Sequence, residues 1–254
     1  MNDNADKLCI DLGSGLCGAS AAFKDAGWEV VTLDIDRRFR PTVQADYSLL
    51  PFRTGLKPEM VIAAPDCSCF SIMALRFHWK KTPHGLEPRD IRTVDAVRDT
   101  WELVDEIKRL DPEYAVIENP RGMVRHILGR PQHTVRWSDH GSPFKKPTDL
   151  WEFGTKRLAF RWLEGMGGWL HIPRSKKKRA TIAKKLALEG KRLGIQMSKT
   201  HWMGVQAVKT PQTIDDWNRH PPHWRENTVK AKSLRAKWPY GLSKAVMEAC
   251  EGAD

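Results

Sequence analysis

Residues 8–18 read LCIDLGSGLCG, and this stretch decides the fold. Its apolar part, residues 8–12, predicts a buried strand, and the glycines that follow have the spacing G-x-G-x-x-G. Between a strand and a helix, such glycines allow a tight turn and the close approach of a ligand. We expect the helix at about residues 17–26 and the next strand at 28–33.

An acidic residue at the end of that second strand completes the pattern. Asp34 stands 21 residues after Gly13, where a carboxylate can accept hydrogen bonds from ribose hydroxyls. Strand, glycine loop, helix, strand and acid together indicate a cofactor that contains a nucleoside. They do not distinguish NAD from S-adenosylmethionine.

Other apolar segments of the first half alternate between strand and helix patterns. Residues 60–64 and 114–117 are short apolar runs typical of buried strands. Between them, residues 90–110 place apolar side chains every three or four positions, which predicts a long amphipathic helix capped by Asp90. The alternation predicts an α/β fold with a doubly wound, mostly parallel sheet, and a short helix is expected at 241–249.

The charge of the chain is asymmetric. Its 254 residues carry a net charge of +11, but residues 1–125 hold 17 basic and 20 acidic side chains, against 25 and 11 in residues 126–254. Eight of the eleven tryptophans lie from Trp137 onward. A basic, tryptophan-rich half predicts a polyanionic partner, with nucleic acid as the first candidate.

Composition argues against several classes of protein. No apolar run approaches the roughly 20 residues that a membrane-spanning helix needs. The polar, acidic start MNDNADK argues against a secretory signal peptide. Five cysteines are an odd and sparse set, which argues against a disulfide scaffold and for a reducing compartment. We therefore expect a cytoplasmic protein without membrane contact.

Two further strand ends carry reactive side chains. Cys67 follows the third strand within residues 64–71 (APDCSCFS), at the edge where such sheets place their sites. Glu118 follows the fourth strand, where burial would raise its pKa and suit it to share a proton. A purely structural role stays open for both. Zinc binding by Cys67 and Cys69 with His78 or His84 is a weaker alternative, because the spacing is not a standard one.

Together these motifs resemble the DNA (cytosine-5) methyltransferases. Residues 11–15 (DLGSG) look like the family's D-L-F-x-G opening, and residues 65–71 (PDCSCFS) look like its P-P-C-x-x-F-S nucleophile loop. Residues 118–120 (ENP) resemble its E-N-V motif in the E-N-P form of some short bacterial and phage members. Residues 139–151 (DHGSPFKKPTDLW) are similar to a Y-G-x-P-x-x-K-x-T-D-x-W stretch of those members. Residues 238–242 (WPYGL) look like the closing segment that packs back on the cofactor domain.

The resemblance implies the Rossmann-like fold of S-adenosylmethionine-dependent methyltransferases and methyl transfer to C5 of cytosine in DNA, with double-stranded DNA as the expected partner. Cys67 would attack C6 of a base flipped out of the helix, and Glu118 would hydrogen-bond the ring at N3 and the exocyclic amine. No metal site is implied. The cofactor contacts that it implies are Asp11, Gly13, Ser14, Gly15, Asp34, Ile35, Asp46, Tyr47 and Pro65.

Three parts of the chain follow from the resemblance. Residues 1–125 would form the cofactor-binding and catalytic domain, residues 126–230 the basic target-recognition region, and residues 231–254 a segment that returns to the catalytic domain. The basic stretch 174–199 would contact phosphates. The aromatic cluster at 217–224 would stack on bases or pack as a loop. We expect a monomer in a bacterial or phage-infected cell.

Some positions depart from the family pattern. Gly13 stands where phenylalanine is usual, Asp66 replaces the proline before the nucleophile, and Pro120 replaces a valine. The Q-x-R-x-R segment is only loosely present, with Arg136 as the candidate to hold the flipped base. A carboxylate beside a thiol raises the pKa of that thiol, the wrong direction for a nucleophile. Several alternatives therefore stay open. The chain could be a non-catalytic nucleic-acid-binding relative or an NAD-dependent oxidoreductase, or it could use an RNA substrate or a modified cofactor.

Overall fold

The structure, a computed structural model, describes residues 4–47, 57–140, 146–160 and 237–252. The described strands are β1 (Leu8–Leu12), β2 (Glu29–Asp34), β3 (Val43–Gln44), β4 (Met60–Ala63), β5 (Trp79–Thr82), β6 (Gly85–Pro88), β7 (Tyr114–Pro120), β8 (His133–Arg136) and β9 (Pro147–Glu152). The described helices are α1 (Ala21–Asp25), α2 (Leu75–His78), α3 (Ile91–Leu110), α4 (Val124–Leu128) and α5 (Tyr240–Glu251).

Seven of these strands form one sheet, in the order β3-β2-β1-β4-β7-β9-β8. The pairs among β3, β2, β1, β4 and β7 are parallel, whereas β9 runs antiparallel to both of its neighbours. β5 and β6 form a separate hairpin. The chain builds the sheet outward from β1 in one direction and then returns to β4 to build it in the other. This confirms the predicted doubly wound, mostly parallel, Rossmann-like sheet.

The sheet is covered on both faces because consecutive side chains of a strand point to opposite sides. Cys9 of β1 lies in a core cluster with Phe23 of α1 and Val246 of α5, while the next residue, Ile10, lies in a second cluster with Leu103 of α3. All five side chains are fully buried. Each such apolar side chain contributes roughly 1.5–3 kcal/mol on burial.

The long helix forms where its periodicity predicts. The Asp90 carboxylate caps α3 by accepting from the amide of Thr93 at 2.8 Å, and the helix ends at Asp111, whose φ is +49°. The C-terminal helix also forms, and the Ser243 hydroxyl of α5 donates to the carbonyl of Ala19 just before α1. The last described segment thus packs against α1, on the same face of the sheet.

Other expectations need correction. The helix predicted at 17–26 is only the five-residue α1, because Cys17 takes a left-handed φ of +52° that a helix does not allow. The start of this helix is therefore too far along the chain to offer amide donors at the glycine loop. The division into domains stays a prediction; residue 125 itself lies within α4, and the strands β8 and β9 that follow it belong to the sheet.

Most of the predicted basic region, including 174–199 and 217–224, lies outside the described residues. Its role therefore stays a prediction. No helix in the described ranges combines the length and the apolar character that crossing a membrane requires.

Candidate active site

Residues at the carboxyl ends of β1, β2, β4 and β7 line a cavity of about 410 Å³, a size typical of small-molecule sites. It lies where the strand order turns between β1 and β4, the place at which doubly wound sheets bind ligands. The positions singled out as catalytic or cofactor-binding all line it: Asp11, Gly13, Ser14, Gly15, Asp34, Ile35, Asp46, Tyr47, Pro65, Cys67 and Glu118.

The loop after β1 is held in shape by its neighbours. The amides of Gly13 and Ser14 both donate to the carbonyl of Leu33, at 2.9 and 3.1 Å. Gly13 has a φ of +70°, and a Cβ there would lie 2.7 Å from the carbonyl oxygen of Ala64. A side chain would therefore collide with the residue that follows β4, which accounts for a glycine at this position.

Asp34 fastens the same loop to the end of β2. One carboxylate oxygen accepts from the amide of Gly15 and the other from the amide of Asp36, both at 2.8 Å. Each oxygen can accept a second hydrogen bond. Asp34 can thus bind ribose hydroxyls while it holds the loop, and Ile35 next to it presents an exposed apolar side chain.

Asp11 is a fully buried carboxyl at the floor of the cavity. One of its oxygens accepts from the hydroxyl of Ser20 at 2.6 Å, and the other has no partner in the described part of the chain. The Ser14 hydroxyl, also buried, likewise has no described partner. Burial raises the pKa of Asp11 to about 6. Because unpartnered buried polar atoms are costly, these two atoms are suited to a polar ligand.

The segment that carries Cys67 is a fixed turn. The amide of Phe70 donates to the carbonyl of Cys67 at 3.1 Å. The Asp66 carboxylate accepts from the amide and the hydroxyl of Ser68, at 2.9 and 2.7 Å. Hydrogen bonds from Ser68 thus hold Asp66, the residue that precedes Cys67. Gly122 allows the turn to dock on the end of β7, since a Cβ there would lie 2.0 Å from the Phe70 carbonyl oxygen.

The two cysteines of this turn differ in their access to the cavity. Cys67 is partly exposed and lines it. Cys69 is 1% exposed and is not among the described residues that line it. Its carbonyl accepts from the indole of Trp79 in the core, at 2.8 Å. The geometry therefore favours Cys67 as the reactive thiol.

Cys67 shares the cavity with a carboxylate and an ammonium group. Glu118 is 5% exposed, and the Nζ of Lys146 lies 3.5 Å from its Oε1. Burial raises the pKa of Cys67 to about 11; Lys146 opposes this shift, whereas Glu118 and Asp66 add to it. The adverse effect expected from Asp66 is present, and so is the basic neighbour that a nucleophilic thiol needs. Lys146 is the residue that sequence reasoning misses; its signal is the lysine of the K-x-T-D-x-W stretch.

The cavity is rich in carboxylates. Burial, together with Asp99, Asp46 and Asp66, raises the pKa of Tyr47. The described lining residues that carry a charged group are Asp11, Asp34, Asp46, Asp66, Asp99 and Glu118 on the acidic side, and Lys146 and Lys237 on the basic side. This balance favours a ligand with positive charge over one with a phosphate group.

Two other expectations from the sequence, a contact of Arg136 to the base and a zinc site, find no support in the described structure. Arg136 is not among its described lining residues, and Gln132 uses its side-chain oxygen to accept from the amide of Glu152. His78, considered for zinc, lies 3.2 Å from the carboxylate of Asp90. Within the described ranges, no three histidine, cysteine or acidic side chains come together as a metal site would need.

Comparisons with known proteins give little beyond these observations. No protein-family model and no curated protein matches the chain. One similar solved structure is an E. coli "putative DNA modification methyltransferase" encoded within a prophage, with 19% identity over 58% of this chain and 46% of that one, at a TM-score of 0.41. Another is the PH0226 protein from Pyrococcus horikoshii OT3, with 16% identity over 58% of this chain and 67% of that one, at a TM-score of 0.31. The first match spans less than half of the E. coli protein. Similarities of this size assign no function, which must come from the site itself.

Proposed function

We propose that this chain transfers a methyl group from S-adenosylmethionine to C5 of cytosine in double-stranded DNA. The observation that carries the proposal is the meeting of Cys67 and Glu118, from the ends of β4 and β7, in one cavity with the glycine loop. A thiol and a carboxylate in this arrangement can act together on one flat ring. The sequence resemblance assigns them these two roles.

The lining of the cavity fits S-adenosylmethionine better than NAD. The unpartnered atoms of Asp11 and Ser14 can receive the hydrogen-bonding groups of its amino-acid end, and Asp34 its ribose hydroxyls. Ile35, Asp46, Tyr47 and Pro65 would then surround the adenine. The pyrophosphate of NAD would instead bring negative charge into a carboxylate-rich site. Bound S-adenosylmethionine supplies a methyl group on a positively charged sulfur, open to attack by a nucleophilic carbon.

The two catalytic side chains divide the chemistry of the base. The Cys67 thiolate adds to C6, so that a sulfur–carbon bond forms and the electron pair of the C5–C6 double bond shifts to C5. A proton shared between the Glu118 carboxyl and N3, together with a hydrogen bond that Glu118 accepts from the exocyclic amine, stabilises the negative charge that develops on the ring. C5 would take the methyl group as its bond to the sulfonium sulfur breaks and leaves a neutral thioether. Loss of the C5 proton to solvent or a base then restores the double bond and expels the thiolate of Cys67.

Access to C6 and C5 requires the cytosine to leave the duplex, so the protein must flip it into the cavity. The net positive charge of residues 126–254 supports a role in phosphate contacts, which position a nucleic acid without specifying its sequence. We propose that the protein acts as a monomer in the cytoplasm of a bacterial or phage-infected cell.

One observation favours a second candidate, a non-catalytic nucleic-acid-binding relative. Burial raises the pKa of Cys67 to about 11, so the thiol is largely protonated near neutral pH in the absence of ligands. A cationic cofactor would favour the thiolate, whereas a binding protein would have no use for one. The two candidates therefore differ in whether methyl transfer occurs at all.

The test is methyl transfer with radiolabelled S-adenosylmethionine on mixed-sequence duplex DNA, with RNA as a parallel substrate. We expect label in the DNA with the native protein and with Cys69→Ala, the matched control, but none with Cys67→Ala. Salt-sensitive DNA binding without label on any nucleic acid would favour the non-catalytic relative. Binding of NAD but not of S-adenosylmethionine would contradict both.

A further inference from the structure

Lys146 occupies a position in the cavity to which no role has been given. It immediately precedes β9, and its Nζ lies 3.5 Å from the Oε1 of Glu118. Its side chain is 22% exposed, against 6% for Glu118. The described structure gives Glu118 no other ion-pair partner within 4 Å, so Lys146 balances an almost fully buried carboxylate.

The ammonium group of Lys146 is held in place by the fold. It lies 3.8 Å from the ring centroid of Trp137, whose side chain is fully buried. The backbone is fixed as well, because the amide of Trp137 donates to the carbonyl of Lys146 at 3.1 Å. A cation held over an aromatic face is stabilised and has fewer conformations to lose on binding. Lys146 is therefore preorganised.

Three charged side chains bear on Cys67. They are Asp66 beside it, Glu118 from β7 and Lys146 from the start of β9. The two carboxylates disfavour the thiolate, as does burial, and Lys146 is the group of this set that favours it. Of these three side chains, Lys146 therefore offsets the negative charge that the two carboxylates place near Cys67.

On the basis of the proposed function, we propose that Lys146 is a positioning residue of this site. Its ammonium, fixed by the Trp137 ring, holds the carboxylate of Glu118 in place and favours the charged form of Cys67. Because β9 lies between β7 and β8 and runs antiparallel to them, Lys146 at its start is brought to the same edge of the sheet as Cys67.

Alkylation of Cys67 tests this inference without cofactor or DNA. The full-length protein is treated with iodoacetamide between pH 7 and 11, and the modified cysteine peptides are quantified by mass spectrometry. We expect Lys146→Met to slow the alkylation of Cys67 about tenfold between pH 7 and 9, since the loss of a nearby opposite charge raises a pKa by about one unit or more and so lowers the thiolate fraction by that factor. Lys146→Arg keeps the charge and should stay within about threefold of the native rate.

Two controls separate this effect from a general loss of structure. Cys17, partly exposed in the glycine loop, is the internal reference and should react at the native rate in every variant. Lys156→Met is the matched control, because Lys156 also pairs with a glutamate at 3.0 Å and lies 5.8 Å from the ring centroid of Tyr114, but outside the described lining of the cavity.

An unchanged Cys67 profile in Lys146→Met would overturn the inference. An equal change in Lys156→Met, or in Cys17, would overturn it as well. Failure of the proposed function is seen separately, as the absence of methyl transfer from a native protein whose Cys67 alkylation still depends on Lys146.

Discussion

Gly13 and Gly15 offer a paired test of how the glycine loop is built. Both have positive φ angles, +70° and +49°, so alanine at either position must adopt a left-handed backbone. They differ in their surroundings. A Cβ at Gly13 would lie 2.7 Å from the carbonyl oxygen of Ala64, whereas a Cβ at Gly15 would meet nothing within 4 Å. The second substitution is therefore the control for the first.

The expected magnitudes follow from these contacts. The left-handed backbone costs an alanine about 1–2 kcal/mol, and this is the whole cost for Gly15→Ala. Gly13→Ala adds a collision with the carbonyl of Ala64, whose backbone is restricted because Pro65 follows it. Overpacking of this kind costs about 1–3 kcal/mol more.

Thermal unfolding followed by circular dichroism measures the difference. An additional 2 kcal/mol or so lowers the melting temperature by roughly 4–8 °C in a protein of this size. We expect Gly13→Ala to melt that far below Gly15→Ala and to lose more affinity for S-adenosylmethionine. Equal melting temperatures for the two variants would refute the reasoning, because they would mean that β4 does not confine the loop.

Three further predictions concern single side chains. Asp11 keeps its proton up to about pH 6 in the folded protein but only to about pH 3.8 in the unfolded chain, so the folded state binds more protons between these values. The free energy of unfolding should therefore fall by about 3 kcal/mol as the pH rises from 3.8 to 6. Urea titrations at several pH values should show a weaker pH dependence for Asp11→Asn. Arg125→Met should lower the free energy of unfolding by about 3–5 kcal/mol, because the fully buried carboxylate of Asp149 loses the two hydrogen bonds of 2.6 Å that it accepts from Arg125. Arg98→Met, at an exposed ion pair, should lower it by less than about 1 kcal/mol. Glu118→Gln should slow methyl transfer in single-turnover assays without weakening the binding of S-adenosylmethionine; a large loss of affinity would make Glu118 a cofactor ligand instead.

The parts of the fold that local pattern dictates could be predicted from the sequence. The run at 8–12, the glycines after it and Asp34 lie within one continuous stretch, so their geometry depends on few distant contacts. The α3 helix was equally predictable, because its apolar spacing and the cap at Asp90 are both local signals.

Features that depend on distant contacts could not be predicted. Lys146 reaches the cavity only because β9 inserts antiparallel between β7 and β8, which no local spacing encodes. The sequence around Gly122 gives no sign that this glycine packs directly against the turn that carries Cys67. The helix predicted to begin near Cys17 failed for a related reason, since a Cβ at the next residue, Gly18, would lie 2.7 Å from the backbone of Trp238 at the other end of the chain. The backbone there is set by that contact and not by helix propensity.

The most direct test of the central claim is the capture of the covalent adduct. Purified protein is incubated with S-adenosylmethionine and mixed-sequence duplex DNA that contains 5-fluorocytosine, in which fluorine at C5 cannot leave as a proton does. The account predicts a protein–DNA complex that survives denaturing electrophoresis, persists in Cys69→Ala and disappears in Cys67→Ala. A protein that binds S-adenosylmethionine but forms no adduct on duplex DNA, single-stranded DNA or RNA would contradict the account.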